Sequence, residues 1–219
     1  MFPSSGSSDF DLRFNLFGIP VQVTPMFWLM AVILGLPYLQ EAGPLALVTW
    51  VGVVFISILV HELGHALAAR SVGHHPAIQL TYFGGLAYFQ QFRLTPWRLV
   101  YISAAGPAAG YALYLLCYNL AIYGYIPVSM TVQQLVTVNF YWTIFNLLPV
   151  YPLDGGQILL GLTQALLPRF SPQITHGLGA IVAAIIAIFA FRSGDIFLVV
   201  MFAMFAMLNI QMLQSRRMW

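Results

Sequence analysis

The chain has 219 residues, 60% hydrophobic and 6% charged, with a formal net charge of +2. Soluble domains carry about 25% charged residues, so this composition excludes a water-soluble globular domain and implies an integral membrane protein. All eight basic residues are arginines dispersed along the chain, which gives no basic patch for nucleic acid, and the single cysteine, Cys117, permits no internal disulfide.

Residues 1–11 are Ser-rich and polar and read as a loose tail, without the basic segment and small-residue cleavage site of a removable signal peptide. Phe14–Val23, FNLFGIPVQV, combines β-branched residues with Gly-Ile-Pro punctuation and reads as a short interfacial strand or loop. Pro25–Tyr38 is a first span, short for the ~20 residues that a bilayer asks of a helix, with Pro37 placed to end or kink it. Pro44–Arg70 is a second span. After the polar His74-His75-Pro76, residues Ala77–Gln90 are aromatic and β-branched around Gly84-Gly85, the pattern of a β-hairpin turning at the glycines. Trp97–Tyr123 is a third span whose Gly106-Pro-Ala-Ala-Gly110 favours close helix packing. Thr131–Leu148 is a fourth. It runs into Asn146-Leu-Leu-Pro-Val-Tyr-Pro-Leu-Asp154-Gly-Gly, a stretch of broken backbone that persists at membrane depth only where protein or a wet cavity satisfies it. Ile158–Leu167 is a short helix, and Ile174–Phe191 and Ile196–Leu213 are the fifth and sixth spans. The expected fold class is membrane all-α: a polytopic bundle of about six transmembrane helices with a small membrane-associated β-hairpin.

Inside the second span stands His61-Glu62-Leu63-Gly64-His65. Histidines at i and i+4 lie on one helix face, so both imidazoles can reach one metal ion, with Glu62 beside them as a general base for water. From this chain's composition the pattern arises by chance in roughly one such sequence per thousand. An ionisable group at mid-membrane costs about 2.5–3.5 kcal/mol on insertion scales, so its retention there suggests function. Gly64 leaves room for another backbone or a substrate. A catalytic zinc takes three protein ligands and keeps one position open. Glu41 and Asp195 fall towards the far side of the membrane and Asp9 and Asp11 in the tail. Asp154 remains as third ligand, with His74, His75 and His176 as competitors at or beyond the span ends, where lone histidines are usually solvated.

Six spans put Arg13, Arg70, Arg93, Arg98, Arg169, Arg216 and Arg217 on one side and only Arg192 on the other, which assigns the first side to the cytoplasm. His61 then lies roughly 13 Å from that side, nine residues before Arg70 at about 1.5 Å each. Gly106 and Asp154 approach a similar depth from the same side.

HELGH in one span, FGG in the following hairpin and NLLPVYPLDGG after a later span resemble the site-2 protease family of intramembrane zinc metalloproteases. LFGIPVQVTPMFWL and AAGPAAG extend the resemblance over about residues 14–160. It implies His61, His65 and Asp154 as ligands of one Zn2+ per chain, Glu62 as catalytic base, and Asn146 as the group that polarises the substrate carbonyl or holds the oxyanion. The chain departs from the family pattern at Gly110, where Asn is frequent, and at Gln157, where Arg is. Substrate would pair with the hairpin at Phe83, Gly84, Gly85, Leu86 and Ala87, since a helix must unwind before its carbonyls can be attacked and its freed backbone groups then need partners.

The expected activity is zinc-dependent endopeptidase cleavage in or near a transmembrane segment of a single-span or multi-span membrane-protein substrate, as in regulated intramembrane proteolysis. The competing readings are an inactive relative that binds transmembrane helices, and a metal transporter. The transporter is disfavoured because the strong polar groups gather at one depth. The chain reads as one integral-membrane metalloprotease domain over 1–219: tail and interfacial segment 1–24, catalytic core 25–168, two C-terminal spans 169–219. No PDZ or CBS-type domain is expected within it. Its expected partners are the lipid bilayer, taken to be the cell membrane with both termini and the active-site side cytoplasmic, and its protein substrate; no nucleic acid is expected.

Overall fold

The structure, a computed structural model, describes residues 10–81, 84–88 and 94–215. It forms two compact units: residues 1–92 with 105–143, and residues 93–104 with 144–219.

In the first unit, β1 (Leu12–Leu16) and β2 (Ile19–Val23) pair antiparallel, and β3 (Ala77–Thr81) and β4 (Gly84–Tyr88) do the same. The β1–β2 connection is Phe17-Gly18, with φ of +51° and +75°, the two positive values of a two-residue hairpin turn. Phe17 is a bulky residue for such a position, and Arg70 fixes it by donating from its guanidinium to the Phe17 carbonyl at 2.5 Å. β2 and β3 join the two hairpins in parallel, Val21 opposite Ile78 and Val23 opposite Leu80, giving one four-stranded sheet in the order β1-β2-β3-β4. This enlarges the single hairpin expected from sequence. Phe14–Val23 is itself a hairpin, and its inner strand completes its hydrogen bonding on β3. A parallel pair needs a long crossover, supplied here by α1 (Pro25–Ala42) and α2 (Pro44–Ser71).

Thr24 precedes α1, whose first residue is Pro25; the missing proline N–H costs nothing there because the first helical N–H groups lack partners anyway. Pro37 does not end the helix, which continues to Ala42. Gly43, at φ +83°, then turns the chain directly into α2. The two helices pack closely. The Trp50 indole donates to the Ala31 carbonyl at 3.0 Å, stacks on Tyr38 at 4.7 Å, and lies where a side chain on Gly35 would stand. Beneath them Ile19, Val21, Val23, Phe27, Ile58, Ile78 and Leu80 form one buried apolar cluster that binds sheet to helices.

The division between the units falls within α3 (Pro96–Ile122) and α4 (Met130–Asn146). The second unit adds α5 (Asp154–Leu166), α6 (Ser171–Ser193) and α7 (Ile196–Ser215). α6 ends on Gly194 in the left-handed conformation, φ +78°, and α7 returns against α6 around buried Ala183, Met201 and Phe202, with Val150 and Leu153 in the same cluster. Four described helices are long and apolar enough to cross a membrane: α2, α3, α6 and the stretch Ile196–Gln214 of α7. α1, with 18 residues, and α4, with 17, fall outside that set, and both are short for the ~20 residues that a bilayer needs.

Candidate metal centre

α2 is apolar on all sides, with valine, leucine, isoleucine and alanine around its whole circumference. A helix of that kind is buried or faces lipid, and its three ionisable residues before Arg70 are all turned inward. His61, Glu62 and His65 are 2%, 5% and 7% exposed. Their helical spacing brings the two Nε2 atoms to 3.2 Å, with the rings edge to face at 4.8 Å. Two nitrogens bound at about 2.0–2.1 Å to a tetrahedral zinc lie about 3.3 Å apart, so the imidazole pair already spans one edge of that tetrahedron.

The small residues of α3 make this packing possible. A Cβ on Gly106 would overlap the His65 ring, and one on Gly64 would overlap the Ala105 carbonyl and come within 2.8 Å of the Ala109 Cβ. Gly64 thus makes room for another backbone, and Gly106 seats a histidine. α4 closes the other side of His61, with the Trp142 ring edge-on at 6.4 Å. One turn before His61, Ser57 accepts a 2.9 Å hydrogen bond from the Asn139 amide, which also donates to the Leu135 carbonyl at 2.8 Å. At Gly110, where a side chain is absent, Thr143 Oγ1 and His61 Nδ1 would lie 3.2 and 3.8 Å from a Cβ.

Asp154 and Asn146 belong to the second unit. Asn146 is buried at the end of α4, and Asp154 is the buried first residue of α5, where the helix dipole favours a carboxylate. The seven residues between them fold back tightly. Leu147 N–H donates to the Ile144 carbonyl (3.2 Å), Leu148 to Phe145 (3.2 Å), Val150 to Leu148 (2.7 Å) and Leu153 to Val150 (2.8 Å). Gly155 sits on the Leu147 and Leu148 carbonyls and Gly156 on the backbone of Val150 and Tyr151. The Pro- and Gly-rich stretch is therefore satisfied by protein, and the two glycines let the turn stack on the start of α5.

Of the other expected residues, Gly84, Gly85, Leu86 and Ala87 lie in β4, the edge strand, paired with β3 as Gly85–Leu80, Leu86–Gln79 and Ala87–Ile78. Phe83 lies outside the described residues. His75 is exposed and His74 half-buried. His176 is different: it is 5% exposed within α6 and hydrogen-bonded to Asn209, so the expectation that it is solvated at a span end fails. The sequence reading missed Trp142, Asn139 and Asn209. Single polar or aromatic residues inside apolar helices were the only signal for them.

Residues 125–190 match the model of Peptidase family M50. Over 162 residues the chain is 35% identical to sll0528 of Synechocystis sp., whose name assigns it provisionally to the zinc metalloproteases; the match covers 66% of this chain and 42% of that protein. It is 28% identical over 198 residues to zinc metalloprotease MJ0392 of Methanocaldococcus jannaschii, covering 85% and 55% of the two. The chain thus spans about half the length of these curated relatives. The fold is that of the Site-2 Protease from Methanocaldococcus jannaschii, with a TM-score of 0.67 at 23% identity over 92% of this chain and 94% of that one. The resemblance carried by the motifs therefore holds in fold along nearly the whole chain.

Proposed function

We propose that this chain is an intramembrane zinc endopeptidase of the site-2 protease type, cutting a membrane-protein substrate in or near a transmembrane segment. The observation that carries this reading is the imidazole pair, with Nε2 atoms 3.2 Å apart and a buried glutamate between them, on a helix apolar enough to cross a membrane. The zinc-metalloprotease names of the relatives and the M50 match support it. In this reading His61, His65 and Asp154 hold one zinc ion; each offers one ligand atom and all three are buried. Zinc supplies Lewis-acid chemistry, activating water near neutral pH and polarising the carbonyl.

The remaining work belongs to this chain's own residues. Glu62 takes the proton from the attacking water and returns it to the departing amine, so its carboxylate is restored at the end of each turnover. The Asn146 side-chain N–H donates to the developing oxyanion. β4, at the sheet edge, pairs with the unwound substrate and replaces hydrogen bonds lost from its helix. The finer membrane plan is six spans, with α1 and α4 crossing as short helices and both termini cytoplasmic. It divides into an interfacial segment 1–24, a catalytic core 25–168 and two C-terminal spans.

The test is co-expression of the parent and Glu62→Gln with candidate single-span proteins. A cut fragment is expected with the parent alone, while zinc content stays equal in both. Parental cleavage by Glu62→Gln would reject the assigned base. Asn146→Ala should slow cleavage by roughly 10²–10³, the loss usual for one oxyanion donor.

A further inference from the structure

We infer that Asn209 on α7, oriented by His176 on α6, is the positioning residue for the turn that presents Asp154. The inference rests on the proposed role of Asp154 as metal ligand. Asn209 is fully buried inside an apolar helix and makes three hydrogen bonds. Its amide donates to the Tyr151 carbonyl at 2.7 Å and to the Phe205 carbonyl at 2.8 Å. Both amide protons are thereby used on carbonyls, so the side-chain oxygen faces His176 Nδ1, 3.1 Å away. An amide oxygen only accepts, so Nδ1 carries a proton and donates. That leaves one amide orientation and one attachment of the imidazole proton consistent with every partner.

Two further features fit the same purpose. Gly179 provides the space, since a Cβ there would come within 2.6 Å of Asn209 Oδ1. The Tyr151 ring meets His176 edge-on at 5.6 Å, so backbone and side chain of one residue are both gripped. Tyr151 stands three residues before Asp154, in a segment folded on itself by short-range backbone hydrogen bonds such as Val150 N–H to the Leu148 carbonyl and Leu153 N–H to the Val150 carbonyl. The Asn209 amide supplies a long-range bond that ties this turn to a distant helix, 58 residues away in sequence. α5 is tied to α6 separately, by Thr163 Oγ1 to Ser171 Oγ at 2.8 Å and Thr175 Oγ1 at 2.9 Å. α6 and α7 thus carry the frame that fixes one ligand-bearing turn, a task for two helices that hold none of the proposed chemistry.

Zinc affinity of the purified 219-residue chain, measured by chelator competition alongside thermal stability, tests this. Asn209→Leu keeps the bulk and removes all three hydrogen bonds; it should weaken zinc binding by about 10–100-fold, the usual effect of losing a partner that orients a ligand. His176→Phe should weaken it by less, and His176→Asn, whose amide nitrogen stands where Nδ1 does and can still donate to Asn209, should recover most of the loss. Thr163→Val removes an equally buried network in the same unit and should leave zinc affinity unchanged. Parental affinity in Asn209→Leu, or an equal loss in Thr163→Val, overturns the inference. If Asn209→Leu is not recovered folded, the His176 pair carries the same prediction, and equal affinity in His176→Phe and parent overturns it. Asp154→Ala separates the two readings. Full zinc in that variant rejects Asp154 as a ligand, whereas lost zinc there with parental affinity in Asn209→Leu rejects only the positioning role.

Discussion

At the scale of single residues, the histidine pair depends on what is missing from the helix opposite. Gly106 is the seat of the His65 ring, and α3 cannot retreat from it easily, because Ala105 already rests against Gly64. A methyl group at 106 must push the imidazole aside, and a metal site tolerates little of that. Gly106→Ala should therefore lower zinc affinity by at least about tenfold, in line with other changes that disturb ligand orientation. Gly52→Ala, on α2 where a Cβ meets nothing within 4 Å, is the matched control. It should keep full zinc and gain roughly 0.5–1 kcal/mol of helix stability. Chelator competition and thermal unfolding of both variants decide it, and equal zinc affinity in the two would reduce Gly106 to ordinary packing. The pair itself was legible in the sequence because i, i+4 spacing is local geometry. The small-residue stripe on α3 was legible as close packing, but its partner was not, since which ring fills a glycine's space depends on the neighbouring helix. His176 was misread for the same reason: burial of a residue near a helix start is decided by α7, contributed from 33 residues further on.

At the scale of elements, β4 is where the proposed chemistry meets substrate. As the edge strand it is bonded to β3 on one side only within the sheet order. Proline removes one N–H, so it blocks pairing only where that N–H faces the partner. Substituting Leu86, Ala87 and Tyr88 singly by proline should give alternating loss of cleavage with zinc content unchanged. Uniform tolerance, or losses that track the yield of folded protein, would remove the pairing model and leave the hairpin as a cover. The aromatic, β-branched flanks around Gly84-Gly85 made this hairpin readable from sequence, but the turn does not fall at the glycines as expected: both lie in β4, paired with Thr81 and Leu80. The parallel pairing of β2 with β3 was not readable, because it joins segments separated by two whole helices and local periodicity carries no information about such partners. The end of α1, though not its start at Pro25, was misplaced for a related reason. Pro37 is a local stop signal, yet packing of Gly35 and Tyr38 against Trp50 of α2 carries the helix on to Ala42.

At the scale of the whole chain, the open quantity is the number of crossings, and arginine placement discriminates between the two counts. If only the four long apolar helices crossed, Arg13, Arg169, Arg216 and Arg217 would lie on one side and Arg70, Arg93, Arg98 and Arg192 on the other. Four against four gives the insertion machinery no preference. Adding α1 and α4 as short crossings moves the count to seven against one, a strong cytoplasmic bias of the kind that sets orientation. The short helices are tolerable because a hydrophobic stretch below bilayer thickness costs only fractions of a kcal/mol per Å of mismatch. The two plans differ at one accessible place, the connection between α3 and α4. Six crossings put Tyr125 outside and Trp219 in the cytoplasm; four crossings put both on the same side. Paired topology reporters, one inserted at Tyr125 and one fused after Trp219, should therefore read opposite sides, with the Trp219 fusion cytoplasmic. Reporters that agree would remove α4 from the crossings and overturn the six-span plan. The second helix would then need another account of its direction, and with it the depth at which His61 and His65 meet substrate.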